Sequence, residues 1–201
     1  MKLEVKEVKK INLEKLKQDW YKIFYVKWVF DKFHLGHKEF LIYLRKKINY
    51  FYGDKTILIV GIESDRITKK KKWKNRPYDN EKLRAEKVYL SWNVDAVYIS
   101  DNEARYLIDE LKFLKIDYFI VPEEYVYYLK LFYLLKNKLK KDWIKIMLSR
   151  HKQYERFWLN SQLATIHTTG LVESNPLKVF IKHIKQVTYL TKELLYFLLK
   201  S

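Results

Sequence analysis

The sequence predicts an α/β domain built on a parallel sheet, and three observations predict it. Apolar, β-branched runs alternate with helical patterns several times between Ile23 and Val121. The run Thr56–Ile62 is apolar without a break, which is how a strand buried on both faces of a parallel sheet reads. Proline and glycine are scarce, three and four in 201 residues, so a disordered linker is not expected and helix content should be high. Parallel strands joined by helices take right-handed crossovers, which restricts the topology.

Residues 1–20 read as a polar N-terminal extension, where Asn12 can cap a short helix with Leu13, Leu16 and Trp20 on one face. Ile23–Phe30 is rich in β-branched and aromatic residues and predicts the first strand. Helical spacing of Phe40, Leu41, Leu44 and Ile48 predicts a helix from Leu35 to Tyr50, and Gly53-Asp54 a turn before the strand Thr56–Ile62. Glu63–Asn80 is polar and basic and is expected to be a loop. Asn80 can cap a helix over Glu81–Trp92. Strands are expected at Val94–Ser100 and Asp117–Val121, with a helix over Asn102–Leu114 between them. Beyond Tyr125 the pattern changes. Val126–Lys141 is aromatic and leucine-rich at helical spacing, Trp143–Leu148 reads as a fifth strand, and Arg150–Asn160 fits a loop or an edge strand. Thr165–Gly170 reads as a turn, and two helices follow, from Pro176 through Val187 and from Thr191 to Lys200.

Composition excludes several classes of function. With no cysteine, a disulfide framework, a thiolate metal site and a cysteine nucleophile are all removed, and a reducing compartment fits. The basic N-terminus has neither the apolar core nor the small-residue cleavage site of a signal peptide. No apolar run approaches the roughly 20 residues of a helical membrane span. A soluble cytoplasmic protein is therefore expected. The formal net charge is +17, spread from Lys2 to Lys200 with one dense run at Lys69–Lys74. Such charge suits nucleic acid, an anionic surface or the handling of phosphates, while a run of lysines by itself is an ordinary solvated surface.

The chemistry-bearing stretch lies where the first strand gives way to a helix. His34 and His37 stand there with Gly36 between them. In open parallel sheets ligands bind beyond the carboxyl ends of the strands. A helix N-terminus offers free N–H groups and a partial positive charge, which suits phosphate, and Gly36 permits close approach of the backbone. Imidazoles three residues apart share one side of the first turn. Both can donate to phosphate oxygens and stabilise charge that develops in phosphoryl transfer. The same pair suits a metal ion, though no third ligand stands nearby.

Phe30-Asp31-Lys32-Phe33-His34-Leu35-Gly36-His37-Lys38 resembles the Phe-Asp-x-x-His-x-Gly-His block of cytidylyltransferases and sugar-phosphate adenylyltransferases. A second block resembles the middle region of that superfamily. It comprises Ser64-Asp65, the lysine run, Asn75-Arg76-Pro77, Arg84-Ala85-Glu86 and Val94-Asp95, with spacings similar to the heptose-phosphate adenylyltransferase branch. A third, Ile166-His167-Thr168-Thr169-Gly170-Leu171, resembles the Ile-Ser-Thr-Thr-x-Ile block at the last helix start. Glycerol-phosphate and choline-phosphate cytidylyltransferases are also similar. Three departures stand out. Trp28-Val29 occupy positions where the family has small residues, Val121-Pro122-Glu123 replace a Lys-Gly, and no Arg-Thr-Glu-Gly precedes the threonine pair, for which Arg150 and Arg156 are alternative cations.

The resemblance implies a Rossmann-like parallel sheet with helices on both faces, spanning residues 21–172, and C-terminal helices over 173–201 packed on the same domain. It places His34, His37 and Lys72 in catalysis. It places Val29, Phe30, Asp31, Gly36, Arg84, His167, Thr168 and Thr169 at the nucleotide, Arg84 supporting either the active-site loop or the phosphates. Asp65, Lys72 and Arg76 fall at the acceptor. It implies transfer of AMP or CMP from ATP or CTP to the phosphate of a small sugar or alcohol phosphate, with release of pyrophosphate. Magnesium is expected on the triphosphate, held mainly by substrate and water. A homodimer through the helix Val126–Leu135 and core packing of that helix are both open. Two other readings remain: a basic module binding RNA or an anionic surface, supported by the charge and the many Tyr and Trp, and an inactive relative that only binds nucleotide.

Overall fold

A computed structural model describes residues 12–72, 75–103, 106–122, 137 and 139–149. Five strands form one parallel sheet: β1 (Lys22–Trp28), β2 (Thr56–Glu63), β3 (Ala96–Ser100), β4 (Tyr118–Pro122) and β5 (Lys145–Ser149). Their spatial order is β3-β2-β1-β4-β5. The chain steps outward from β1 to β3, then returns to lay β4 on the other side of β1. Every neighbouring pair is parallel. The α/β class and the parallel sheet are thus as the sequence predicts, and the order reverses between β1 and β4, the place where such sheets take ligands.

Two apolar clusters cover the two faces. Phe24 and Val26 of β1, with Leu58, Val60 and Ile62 of β2, meet the buried faces of α2 (Leu35–Tyr52) and α4 (Glu81–Tyr89). The buried α2 residues are Phe40, Leu41, Leu44 and Ile48, the four whose spacing predicts the helix. On the opposite face Ile23 and Tyr25 join Ile59 and pack on Ile108, Leu111 and Leu114 of the α5 segment, whose helix spans Leu107–Phe113. Leu13 of α1 (Leu13–Gln18) packs against the same cluster, and Asn12 caps that helix by accepting from the Lys15 N–H at 3.0 Å.

A polar network fastens α5 to the sheet. The buried carboxylate of Glu110 accepts from the Tyr25 hydroxyl at 2.5 Å and Asn102 Nδ2 at 3.0 Å, and also from Ser100 Oγ. Lys27 Nζ stands 3.4 Å away. Gly61 on β2 makes the room: a Cβ there would lie 2.0 Å from the Tyr25 hydroxyl.

The expected loop over Glu63–Asn80 needs correction, because Asp65–Lys71 form a helix, α3. Ser64 caps it, its hydroxyl accepting from the Ile67 N–H at 3.2 Å. Only Ile67 and Thr68 of α3 are buried, so no amphipathic period announces it. Helix α5 begins at Leu107 rather than Asn102, and α4 ends at Tyr89 rather than Trp92. Arg150–Asn160, Thr165–Gly170 and the two last helices lie outside the described residues, as does Val126–Lys141 except for helical positions 137 and 139–141. Among the described residues no helix is long and apolar enough to cross a membrane.

Candidate active site

The site is built on the turn from β1 into α2. After Trp28 the backbone turns sharply, with Phe30 at φ 53° and Lys32 at φ 47°, a conformation that costs a large side chain stability and persists only where its surroundings enforce it. Buried side chains enforce it here. Asp31 is fully buried, and its Oδ1 accepts from the backbone N–H groups of Tyr78 at 2.9 Å and Asp79 at 3.2 Å. Its Oδ2 meets Arg76 Nε at 2.6 Å. Arg84 is wholly buried and spends each of its nitrogens on a different piece of chain: Nη1 donates to the Val29 carbonyl at 2.5 Å, Nε to the Asp79 carbonyl at 3.0 Å and Nη2 to Asp65 Oδ1 at 2.6 Å. Asp31 and Arg84 therefore lace together the end of β1, the start of α3 and the loop 75–80.

His34 is the residue before α2, with extended backbone, and its side chain makes no capping bond. The His34 and His37 rings stack at 3.8 Å between centroids. Around His37 lie Phe30 at 5.2 Å, Phe33 at 5.7 Å and Trp28 at 6.2 Å, and Trp28 sits edge-on to Phe40 at 5.2 Å. The tryptophan that departs from the family pattern thus forms a wall behind the second histidine. Burial lowers the pKa of His34, favouring the neutral ring. Both of its nitrogens are buried without a hydrogen-bond partner, and so is Arg76 Nη2.

Lys72 ends α3 and is half-buried. Burial lowers its pKa to about 8, and the adjacent Arg76 and Arg84 charges push the same way, against the pull of Glu63 and Asp31. Glu63, at the end of β2, is bridged to Lys71 at 2.6 Å. Burial pushes this carboxyl up, yet Lys71, Lys27 and Lys72 outweigh it and hold the pKa below the usual value. Helix α3 is fixed from behind: Arg66 donates to Asp101 from Nε at 2.9 Å, and the Ser64 N–H reaches the Ser100 carbonyl at 2.8 Å.

The fold brings together Val29, Phe30, Asp31, His34, Gly36, His37, Asp65, Lys72, Arg76 and Arg84 at the carboxyl ends of β1 and β2. His167, Thr168 and Thr169 lie outside the described residues, as do Arg150 and Arg156. Sequence reading passed over Glu63, Tyr78, Asp79 and Glu81. Tyr78 lies under Arg76 at 4.9 Å and Lys32 at 4.3 Å, and Glu81 accepts from the Asp65 N–H at 2.8 Å. Asp31 reaches Tyr78 and Asp79 across 47 and 48 residues of chain, and Asp65 reaches Glu81 across 16, distances no local signal crosses.

Three charged carboxyls border the turn, and all are engaged: Asp31 by Arg76, Asp65 by Arg84, Glu63 by Lys71. Among the described residues no group of three or more His, Cys, Asp or Glu gathers to hold a metal ion. The donors around the turn suit an anion.

A strained strand-to-helix turn with a histidine pair stands, ringed by buried cations, at the switch point of a parallel sheet, where open α/β sheets take ligands. In comparison with known families, residues 29–186 match the family model described as Cytidylyltransferase-like, and the chain belongs to that family. Among curated proteins it is similar to the Bifunctional protein HldE of Campylobacter jejuni subsp. jejuni serotype O:2, 31% identical over 133 residues, which cover 61% of this chain and 27% of that protein. The Bifunctional protein HldE of Aliarcobacter butzleri is 34% identical over 90 residues, covering 45% of this chain and 17% of that one. The matched stretch thus spans about a quarter of the length of the curated relatives or less. Among solved structures, the lipopolysaccharide core biosynthesis protein from Thermoplasma volcanium matches with 20% identity and a TM-score of 0.47, covering 64% of this chain and 94% of that one.

Proposed function

We propose that this chain transfers a nucleotidyl group, AMP or CMP, from a nucleoside triphosphate to the phosphate of a small sugar or alcohol phosphate, releasing pyrophosphate. One observation carries the reading: among the described residues, both nitrogens of His34 and Nη2 of Arg76 are buried without a hydrogen-bond partner, beside the ion pairs Arg76–Asp31 and Arg84–Asp65. A buried donor left unsatisfied costs on the order of 1–3 kcal/mol. The neutral His34 ring offers one N–H and Arg76 Nη2 offers further donors, and phosphate oxygens are acceptors that these donors fit.

In this reading the acceptor phosphate oxygen attacks the α-phosphorus in line with the departing pyrophosphate. His34 and His37 stand at the N-terminus of α2 and stabilise charge on the transferring group and the leaving pyrophosphate. Lys72 and Arg76 draw the two anionic substrates together and reduce their repulsion. Gly36 permits close approach of the helix start, and Val29 and Phe30 floor the nucleotide pocket. Of the two roles the resemblance implies for Arg84, support of the loop suits a guanidinium whose every nitrogen has a protein acceptor. Asp31 and Asp65 are positioning residues by the same argument. His167, Thr168 and Thr169 complete the nucleotide site from the last motif. Magnesium, when bound, would neutralise triphosphate charge while held by the substrate and water.

The choice of triphosphate follows from incubating the protein with ATP or CTP, magnesium and a panel of phosphorylated sugars and alcohols, while recording pyrophosphate. Release that requires one triphosphate and one acceptor class is expected. Saturable binding of a triphosphate with no release under any pairing would instead make this an inactive nucleotide-binding member, and salt-dependent RNA binding with neither would favour the basic-module reading.

A further inference from the structure

The amino ends of the strands carry a feature unrelated to the site. Each strand is preceded by a residue in the left-handed region: Trp20 at φ 62° before β1, Gly53 at φ 73° before β2, Trp92 at φ 59° before β3, Lys115 at φ 52° before β4 and Trp143 at φ 60° before β5. The turns at Trp20 and Trp143 close in the helix-ending pattern that glycine normally serves. The N–H groups of Trp20 and Tyr21 reach the Lys17 and Leu16 carbonyls at 3.1 and 2.9 Å, and those of Trp143 and Ile144 reach Lys140 and Leu139 at 3.2 and 3.0 Å. A glycine takes this conformation freely, whereas a side chain as large as tryptophan loses stability there.

Among the described residues these indoles gain little in return, since Trp20 is 84%, Trp92 74% and Trp143 90% exposed. The strand order puts β3 and β5 at the two edges of the sheet and β1 in the middle. With neighbouring strands about 4.8 Å apart, the three tryptophans make a row about 20 Å long. Exposed Tyr50 and Phe51, in edge contact at 5.0 Å, stand beside it on the last turn of α2.

The charge along the same edge is one-sided. Four of its carboxylates are engaged, Asp117 by Lys17, Asp95 by Arg45, Asp142 by Lys112 and Glu14 by Lys115, while Asp19 and Asp54 are exposed and, among the described residues, carry no ion pair. Lys22, Lys55, Lys140, Lys141 and Lys145 are exposed and, among the described residues, have no carboxylate partner. A second copy of the chain would bring lysines against lysines. A single-stranded nucleic acid calls for a groove, and this edge is a set of projecting turns. Indole rings with an apolar body and a polar N–H, interspersed with lysines, match the headgroup layer of an anionic bilayer.

We propose that the amino-end edge of the sheet is a peripheral docking surface for an anionic lipid bilayer, with Trp20, Trp92 and Trp143 inserted at headgroup depth. Docked in this way, the protein holds the histidine turn at the opposite, carboxyl end of the strands, facing away from the bilayer. Membrane attachment and nucleotide chemistry then occupy opposite poles of one sheet.

The test uses the full chain and vesicles of phosphatidylglycerol mixed into phosphatidylcholine, read by co-sedimentation and by the blue shift of tryptophan emission. Binding to the anionic vesicles is expected, weakening with added salt and absent for pure phosphatidylcholine. The variant Trp20→Gly/Trp92→Gly/Trp143→Gly puts glycine where the backbone favours it. It is expected to melt no lower than the wild type, keep its triphosphate-induced melting shift and bind anionic vesicles at least tenfold more weakly. Wild-type protein that ignores anionic vesicles would overturn the proposal. So would equal binding by the variant, or a tryptophan-dependent self-association or oligonucleotide binding in place of vesicle binding.

Discussion

Lys72 is where burial and charge meet most sharply. Its pKa of about 8 means that the folded protein gives up this proton before the unfolded chain does. Below pH 8 its charge costs folding free energy; between pH 8 and about 10.5 the unfolded state binds more protons, so stability rises with pH across that window. Substrate binding runs the other way, because only the ammonium form attracts phosphate. The KM for the triphosphate should therefore climb as pH passes 8, and pH-dependent initial rates check it. Lys72→Met should flatten that profile and weaken triphosphate binding, yet raise stability by about 1–3 kcal/mol in urea unfolding, since a half-buried cation crowded by Arg76 and Arg84 is removed. Arg84 is the opposite case, a buried cation fully used. Arg84→Ala strips three acceptors and leaves Asp65 unpaired, and should cost about 3–5 kcal/mol in the same measurement. Little of this is legible along the chain. The histidine pair and Gly36 announce themselves by local spacing. Asp31 and Arg84 were readable only as family positions, and what they grip is set by contacts across the fold.

Among the elements, the strands and the long helix α2 were legible because each buries a regular face. Thr56–Ile62 is apolar throughout and became the sheet's buried β2, which runs on through Glu63. Helix α3 was hidden because it buries only two of its seven residues. It is held by a cap, by Arg66 on Asp101 and by the Lys71–Glu63 bridge, none of which leaves a periodic trace. The lysine run consequently changes meaning. Its first three members, Lys69–Lys71, are the last turn of a short helix, where cations complement the helix dipole, and Lys72 follows as the cap at the site. Gly61 illustrates the same limit within a strand. It reads as one small member of an apolar run, yet a methyl group there would strike the Tyr25 ring and disturb the Glu110 network. Gly61→Ala should lower stability by about 1–3 kcal/mol, as overpacking of a filled core does. Thermal unfolding reads that loss, and a loss below ~0.5 kcal/mol would mean the ring has room to move.

At the scale of the whole molecule, the sheet is polarised. Its carboxyl ends gather the histidine turn, α3 and the loop 75–80; its amino ends carry left-handed turns and exposed tryptophans. Among the described residues, cations are buried among carboxylates at one pole, and exposed lysines stand at the other. The central claim is that the histidine pair stabilises the transferring phosphoryl group. The most direct test is the single-turnover rate of pyrophosphate release by His37→Ala beside the wild type, with the melting temperature of each. His37→Ala should lower that rate by about 10²–10³, the usual loss for one preorganised donor, with little change in melting. An unchanged rate in a folded variant would contradict that claim.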